Sequence, residues 1–372
     1  MSRRAAETPV TKLAVSCYRV PTDAPEGDGT FDWDGTTLVL VEAKAGDRTG
    51  LGYSYTSAAA GRLIIQTLAM HVEGRSAFDV PGAHSAMLHA IRNLGRAGLI
   101  ATAIAAVDAA LWDLKCRLLE VSLLDLLGAV RDRAPVYGSG GFTAYSDEQM
   151  RRQLGGWAED GFKAVKMKLG CARSPEAEMA RVRLARECTG DEVELFVDAN
   201  GAYERKQALA MAELFVECDV RWFEEPVSSD DLEGLRLLRD RGPAGMRIAA
   251  GEYGYDLFYF RRMLEAGAVD VLQADATRCL GLTGFLRTAA LAEAFSVPFS
   301  FHCAPALHAS AACALPNFTV GEYFHDHARI ENLFFDGAPQ PIDGCLQPDR
   351  SRPGFGLEFK RADAERYRIS QN

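Results

Sequence analysis

From Ala134 onward the chain repeats one pattern: a short apolar run ending on polar or charged residues, a stretch with apolar positions at helical spacing, then another short run. The runs end near Gly138, Lys168, Asp198, Glu224, Glu252, Asp275, His302 and Glu322, at intervals of roughly 20 to 30 residues, which is the repeat of βα units on a parallel sheet. These ends predict a closed (β/α)7β-type TIM barrel. The competing open, doubly wound sheet needs a glycine-rich first βα turn to hold a nucleotide, and no candidate strand is followed by one.

Ahead of the repeat the pattern is different. Apolar runs at Leu13–Val20 and Thr36–Ala43 read as antiparallel strands, and the Pro/Gly/Asp-rich stretch Pro21–Gly35 between them as a long mobile loop able to act as a lid. Helical spacing follows over Gly61–Glu73, Ala83–Asn93 and Leu99–Leu119. The expected organisation is an α+β capping domain over residues 1–130, a barrel over 131–328, and a C-terminal segment, 329–372, that packs back on the cap. That last segment contains Pro-Gln-Pro, Pro-Asp-Arg and Pro-Gly-Phe-Gly and is expected to be loop with little helix.

Charge and cysteine content narrow the function class. With 51 acidic and 41 basic residues, a net charge of −10, the chain is not built to follow a phosphate backbone, so no nucleic-acid partner is expected. Net charge does not exclude an anionic small molecule, because the field inside a pocket is what holds it. The nine cysteines include no C-x-x-C pair, which argues against disulfides and structural zinc. No apolar segment approaches a membrane span, and the charged start Met1-Ser-Arg-Arg-Ala leads into no signal-like apolar core, so a cytoplasmic protein without a membrane partner is expected.

In a barrel, residues at the C-terminal ends of strands converge on one mouth however far apart they lie in sequence. Lys166 and Lys168 are two apart and face the same side of their strand; two neighbouring ammonium groups lower each other's pKa, which suits one of them to act as a base. Asp198, Glu224 and Glu252 end three consecutive strands. Three crowded carboxylates repel one another unless a hard cation sits among them, and an oxygen-only donor set suits Mg²⁺. Asp275 ends the next strand and His302 the one after, a pairing that fixes an imidazole tautomer for acid–base work. Glu322 closes the last strand, placed to hydrogen-bond a substrate carboxylate, while His308 falls in a helix and is expected to be structural.

Lys-x-Lys at 166 and 168, Asp-Ala-Asn at 198–200, Glu-Glu-Pro at 224–226, Gly-Glu at 251–252, Asp275, His302 and Glu322 together resemble the mandelate racemase subgroup of the enolase superfamily. The helix Ala105–Lys115 followed by Leu124–Gly128 is similar to that family's junction between cap and barrel. The resemblance implies one Mg²⁺ per site on Asp198, Glu224 and Glu252, with Glu225 a neighbour. It implies Lys168 as one base, Lys166 holding the substrate carboxylate, His302 oriented by Asp275 as the second base or acid, Asn200 touching substrate, and Glu322 bonded to its carboxylate. His302 with Asp275 speaks against the muconate-lactonizing and dipeptide-epimerase branch. The implied chemistry is removal of the proton α to a small-molecule carboxylate through an enediolate, followed by dehydration of an acid sugar to a 2-keto-3-deoxy acid; racemisation or epimerisation of an α-hydroxy acid is the alternative, and a catalytically inactive metal-binding scaffold the non-enzymatic one. Tyr53, Tyr55 and Arg278 are candidates for substrate specificity, and a homo-oligomer, dimer to octamer, is implied.

Overall fold

The computed structural model describes residues 8–369, so the charged start Met1–Ala5 lies outside the described residues. Strands β1 (Lys12–Gly27), β2 (Asp32–Ala45) and β3 (Arg48–Tyr55) form an antiparallel sheet. The helix Leu99–Leu119 lies across it, its apolar and small residues buried over most of its length. Gly52 permits the close approach, since a Cβ there would sit 2.2 Å from the backbone nitrogen of Ala110.

The expected lid loop is instead an extended hairpin. Register runs from Lys12 opposite Lys44 to Pro21 opposite Gly35, shifts, and resumes with Glu26 opposite Trp33 and Gly27 opposite Asp32. Only the tip turns, where Asp28 Oδ1 accepts the backbone N–H groups of Thr30 and Phe31 at 2.6 and 2.8 Å. The prolines that made the stretch look like loop border or occupy the irregularity, Pro21 at its edge and Pro25 inside it. A missing N–H costs least where the ladder is already interrupted.

Eight parallel strands follow: β4 (Ala134–Gly140), β5 (Ala164–Lys168), β6 (Glu194–Asp198), β7 (Val220–Glu224), β8 (Arg247–Ala250), β9 (Val271–Ala274), β10 (Phe299–Phe301) and β11 (Gly321–Phe324). β11 pairs with β4. Between β10 and β11 the seam is thin: Phe299 N–H donates to Asn317 O, Thr319 N–H donates to Phe299 O (2.9 Å each), and a single bridge joins Phe299 to Phe318. Tyr137, Ala164, Phe196, Trp222, Ala249 and Val271 form an apolar cluster of their own. Period-two alternation then sets Lys166 and Lys168 above Ala164, Asp198 above Phe196 and Glu224 above Trp222. The floor is apolar and the mouth is charged.

The last strand leads directly into a helix, His325–Phe334, which adds to the little helix expected of the tail. Beyond it β12 (Phe335–Asp336) pairs with β14 (Glu358–Phe359), and β13 (Cys345–Leu346) runs antiparallel to β4. The tail is tied to the cap by Phe355 N–H on Asp113 Oδ1 (2.9 Å), Arg117 on Glu358 (2.6 Å) and Ile369 N–H on Cys17 O (2.8 Å). Among the described residues no helix is long and apolar enough to cross a membrane.

Candidate active site

The strand ends bring Lys166, Lys168, Asp198, Glu224, Glu252, Asp275, His302 and Glu322 together, every one of them buried. Ligand oxygens of Asp198, Glu224 and Glu252 lie within 4.8 Å of one another. Glu252 Oε2 is buried and makes no hydrogen bond, with His302 Nε2 3.3 Å away, and Oε1 of the adjacent Glu225 is likewise buried without a hydrogen-bond partner. Burial and the repulsion of Glu252, Asp198 and Glu224 push the Glu225 carboxyl well above its ordinary range. Hard oxygen donors, crowded and incompletely satisfied, fit a small divalent cation. Glu224 Oε2 is fixed from behind by Trp222 Nε1 and Gln273 Nε2, both at 2.9 Å.

Lys166 donates to Glu224 and lies 2.9 Å from Glu322 and 3.3 Å from Asp198. Lys168 donates to Asp198 Oδ2 at 2.6 Å. Here the structure corrects the expected electrostatics. Burial, the largest single influence, and the Lys166 charge push the Lys168 pKa down, but the carboxylates of Asp198, Glu252 and Glu322 together raise it. Proximity of two ammonium groups was the visible part of the pattern; the carboxylate on the next strand, in register with Lys168, is the stronger neighbour.

His302 Nδ1 is 3.0 Å from Asp275 Oδ2, and its Nε2 lies 3.3 Å from Glu252 and 3.6 Å from Glu322. Burial opposes ionisation of Asp275, yet His302, by its hydrogen bond above all, and after it His308 and Arg278 bring its pKa below the ordinary carboxylate value. The other oxygen of Asp275 accepts the Thr277 N–H at 2.7 Å. Glu322 bridges the barrel seam: Oε1 accepts from Ser139 Oγ at 2.6 Å and Oε2 from the Cys303 N–H at 2.9 Å.

A cavity of about 530 Å³ opens over these groups. Lys168, Asn200, Glu252, Arg278 and His302 line it from the barrel, and Asp28, Phe31, Trp33 and Tyr55 from the cap. Asn200, whose N–H is held by Asp198 Oδ1 at 2.9 Å, has a buried and unpartnered Oδ1. Arg278 is 3.2 Å from Glu252 Oε1. Tyr53 does not line the cavity; it is buried with its hydroxyl on Glu331 Oε1 at 2.6 Å. Tyr55, one pleat nearer the end of β3, reaches the mouth instead and stacks on His327 at 3.4 Å between ring centroids. His327, Cys303, Tyr253, Thr36, Thr37 and Ser57 also line the cavity and were not singled out from the sequence. Burial above all pushes His327 down to about 3, so it faces the mouth as a neutral ring. His308 is structural, accepting the Ala276 N–H at 2.8 Å.

Fold and site together define a capped (β/α) barrel enzyme with a charged mouth. The profile described as Mandelate racemase / muconate lactonizing enzyme, N-terminal domain, matches residues 29–128, and the one described as Enolase C-terminal domain-like matches 149–364; the chain belongs to the mandelate racemase/muconate lactonizing enzyme family of the enolase superfamily. It is similar to the 3,6-anhydro-alpha-L-galactonate cycloisomerase of Streptomyces coelicolor, 31% identical over 95% of this chain and 98% of that one. It is 30% identical to the L-talarate/galactarate dehydratase of Salmonella typhimurium, over 86% and 80% of the two chains. Among solved structures, a mandelate racemase/muconate lactonizing enzyme-like protein from Rubrobacter xylanophilus superposes with a TM-score of 0.94 at 53% identity, covering 97% of this chain and 100% of that one. A racemase from S. coelicolor with bound magnesium gives a TM-score of 0.91 at 29% identity, covering 97% and 100%.

Proposed function

We propose that the protein removes the proton α to the carboxylate of an acid sugar and then eliminates the β-hydroxyl, giving a 2-keto-3-deoxy acid. The observation that carries this reading is the placement, in one mouth, of a lysine and an Asp–His pair on separate strands around three clustered carboxylates. Hydroxyl-bearing Thr36, Thr37, Tyr55, Thr56 and Ser57 line the same cavity and suit a polyol. Relatives named as acid-sugar dehydratases support the class.

Asp198, Glu224 and Glu252 would hold Mg²⁺, which when bound supplies Lewis-acid stabilisation of a substrate carboxylate gaining negative charge. Lys166, adjacent to those ligands, pairs with the substrate carboxylate, Glu322 in its protonated form donates a hydrogen bond to it, and Asn200 Oδ1 is available to a substrate hydroxyl. Lys168, in its neutral form once Asp198 is engaged in holding the cation, would take the α-proton, and the C–H electron pair would become the enediolate. His302, carrying a proton and held by Asp275, gives it to the β-oxygen as the C–O bond breaks. Water leaves, and the enol tautomerises to the ketone. Preorganised charge of this kind provides the largest share of most rate enhancements.

A second reading has a specific basis: a relative matched over 95% of this chain and 98% of its own is named as a cycloisomerase. In that case the same proton removal is followed by ring opening or closure, or by return of the proton. The deciding experiment is a panel of mono- and di-acid sugars and anhydro acids with excess Mg²⁺, assayed for keto products and for deuterium uptake at the α-carbon, with Lys168→Ala and His302→Asn alongside. A 2-keto-3-deoxy product absent from both variants is the expected result. Isomerised or exchanged acid without keto product would replace dehydration by isomerisation, and no exchange with any acid would leave the scaffold reading standing.

A further inference from the structure

A second cluster of ligating side chains sits outside the mouth. Asp23, Glu26 and His325 bring one ligand atom each within 4.8 Å of the others. His325 Nε2 lies 3.1 and 3.0 Å from the two oxygens of Asp23. Glu26 is 1% exposed; its Oε2 accepts from Trp33 Nε1 at 2.7 Å, but Oε1 is buried with no hydrogen-bond partner. A buried carboxylate oxygen left unpaired is costly unless a proton or a cation meets it.

Burial first, and then the charge of Asp326, raise the Glu26 pKa to about 8, so a cation here would displace a proton. Arg329 is taken up by Asp326 and by Pro21 O at 2.7 Å, which leaves Asp23 and the Glu26 carboxyl facing His325, with Arg152 on the wall of the adjoining cavity. Asp23 and His325 also line a cavity of about 440 Å³, open to solvent and sharing no lining residue with the mouth, which leaves an entry path and space for water ligands.

We propose that Asp23, Glu26 and His325 form a second divalent-cation site that clamps the β1–β2 hairpin to the barrel. Its mixed imidazole and carboxylate donors suit Zn²⁺ or Mn²⁺ better than the all-oxygen set at the mouth. The site spans two parts of the fold. Asp23 and Glu26 lie on β1 just before the Asp28 turn that roofs the mouth, and His325 directly follows β11, which carries Glu322. An ion here would fix the roof relative to the catalytic strands without touching substrate.

The test is equilibrium dialysis of the full chain against Zn²⁺ in excess Mg²⁺, followed by metal analysis, for the wild type, His325→Gln and Glu26→Gln. His325→Gln is expected to bind one Zn²⁺ fewer per chain than the wild type and to lose the Zn²⁺-dependent rise in melting temperature. Glu26→Gln, which keeps the carbonyl oxygen for a ligand, is expected to bind the same ion more weakly. Circular dichroism identical to wild type establishes that His325→Gln is folded, a control required because the side chain is only 26% exposed and packs against Phe142. Equal Zn²⁺ stoichiometry in wild type and His325→Gln would overturn the proposal and leave Asp23 and His325 as an ordinary ion pair.

Discussion

Asp108 couples the cap to the barrel through a buried carboxyl, and its replacement by asparagine tests the electrostatics of that junction. It lies on the helix Leu99–Leu119, accepting the Thr283 N–H at 2.8 Å and the Thr283 hydroxyl at 2.7 Å. Burial is the largest influence and lifts its pKa from 3.8 to about 7, against those hydrogen bonds and the charge of Arg287. The folded chain therefore keeps the proton between those values while the unfolded chain has lost it. A carboxyl raised on folding contributes stability below its unfolded pKa and loses it as pH climbs to the folded one. The three-unit gap corresponds to about 4 kcal/mol, of which about 3 kcal/mol falls above pH 5. Asp108→Asn resembles the neutral acid but does not titrate. At an unfolding entropy of about 2.1 cal/mol/K per residue, the melting temperature of the variant relative to wild type should rise by roughly 4 °C between about pH 5 and pH 8. Differential scanning calorimetry at fixed Mg²⁺ concentration measures it. A gap that stays constant across this range, or that moves in favour of the wild type, refutes the assignment of a raised pKa to Asp108.

Three further outcomes are expected. Asp275→Asn removes the charge 3.0 Å from His302 Nδ1, and turnover should fall by about 10²- to 10⁴-fold through loss of the oriented tautomer, with α-deuterium exchange at the Lys168 side retained; unchanged product formation would contradict the pairing. Tyr53→Phe takes the hydroxyl from Glu331 and should cost about 1–3 kcal/mol in urea unfolding with KM unaltered, whereas a raised KM would return Tyr53 to the substrate. Trp222→Phe removes the 2.9 Å donor behind Glu224, and calorimetric titration should show Mg²⁺ affinity reduced by about 10- to 100-fold.

The barrel was legible because seven of its eight strand ends carried chemistry: an apolar run closing on Lys, Asp, Glu or His is visible without any three-dimensional information. The register that puts Asp198 beside Lys168 follows from parallel pairing, but its effect on the lysine depends on burial and distance, which pattern does not encode. The hairpin was hidden for the opposite reason. Composition at Pro21–Gly35 matches a loop, and only the partner strand shows that the prolines fall at a break in the ladder. Tyr53 and Tyr55 share one face of β3 and form an edge-to-face pair at 5.8 Å. Alternation identifies the face; which ring reaches the mouth is decided by where the strand ends. His327 gave no signal because its role rests on stacking against Tyr55, a contact between segments 272 residues apart.

Glu322 joins three strands at the thinnest part of the barrel wall: it receives Ser139 from β4 on one side and the Cys303 N–H beyond β10 on the other. The carboxylate proposed to hold substrate is therefore also a rivet in the cylinder. Selection acting on substrate binding and selection acting on closure meet on the same two oxygens, so drift at this position is penalised twice. Evolution of new specificity is correspondingly easier from the cap, where Phe31, Trp33 and Tyr55 face the cavity and none of them closes the barrel sheet. Laboratory diversification confined to those three positions should yield a larger fraction of folded variants than equal diversification of the strand ends.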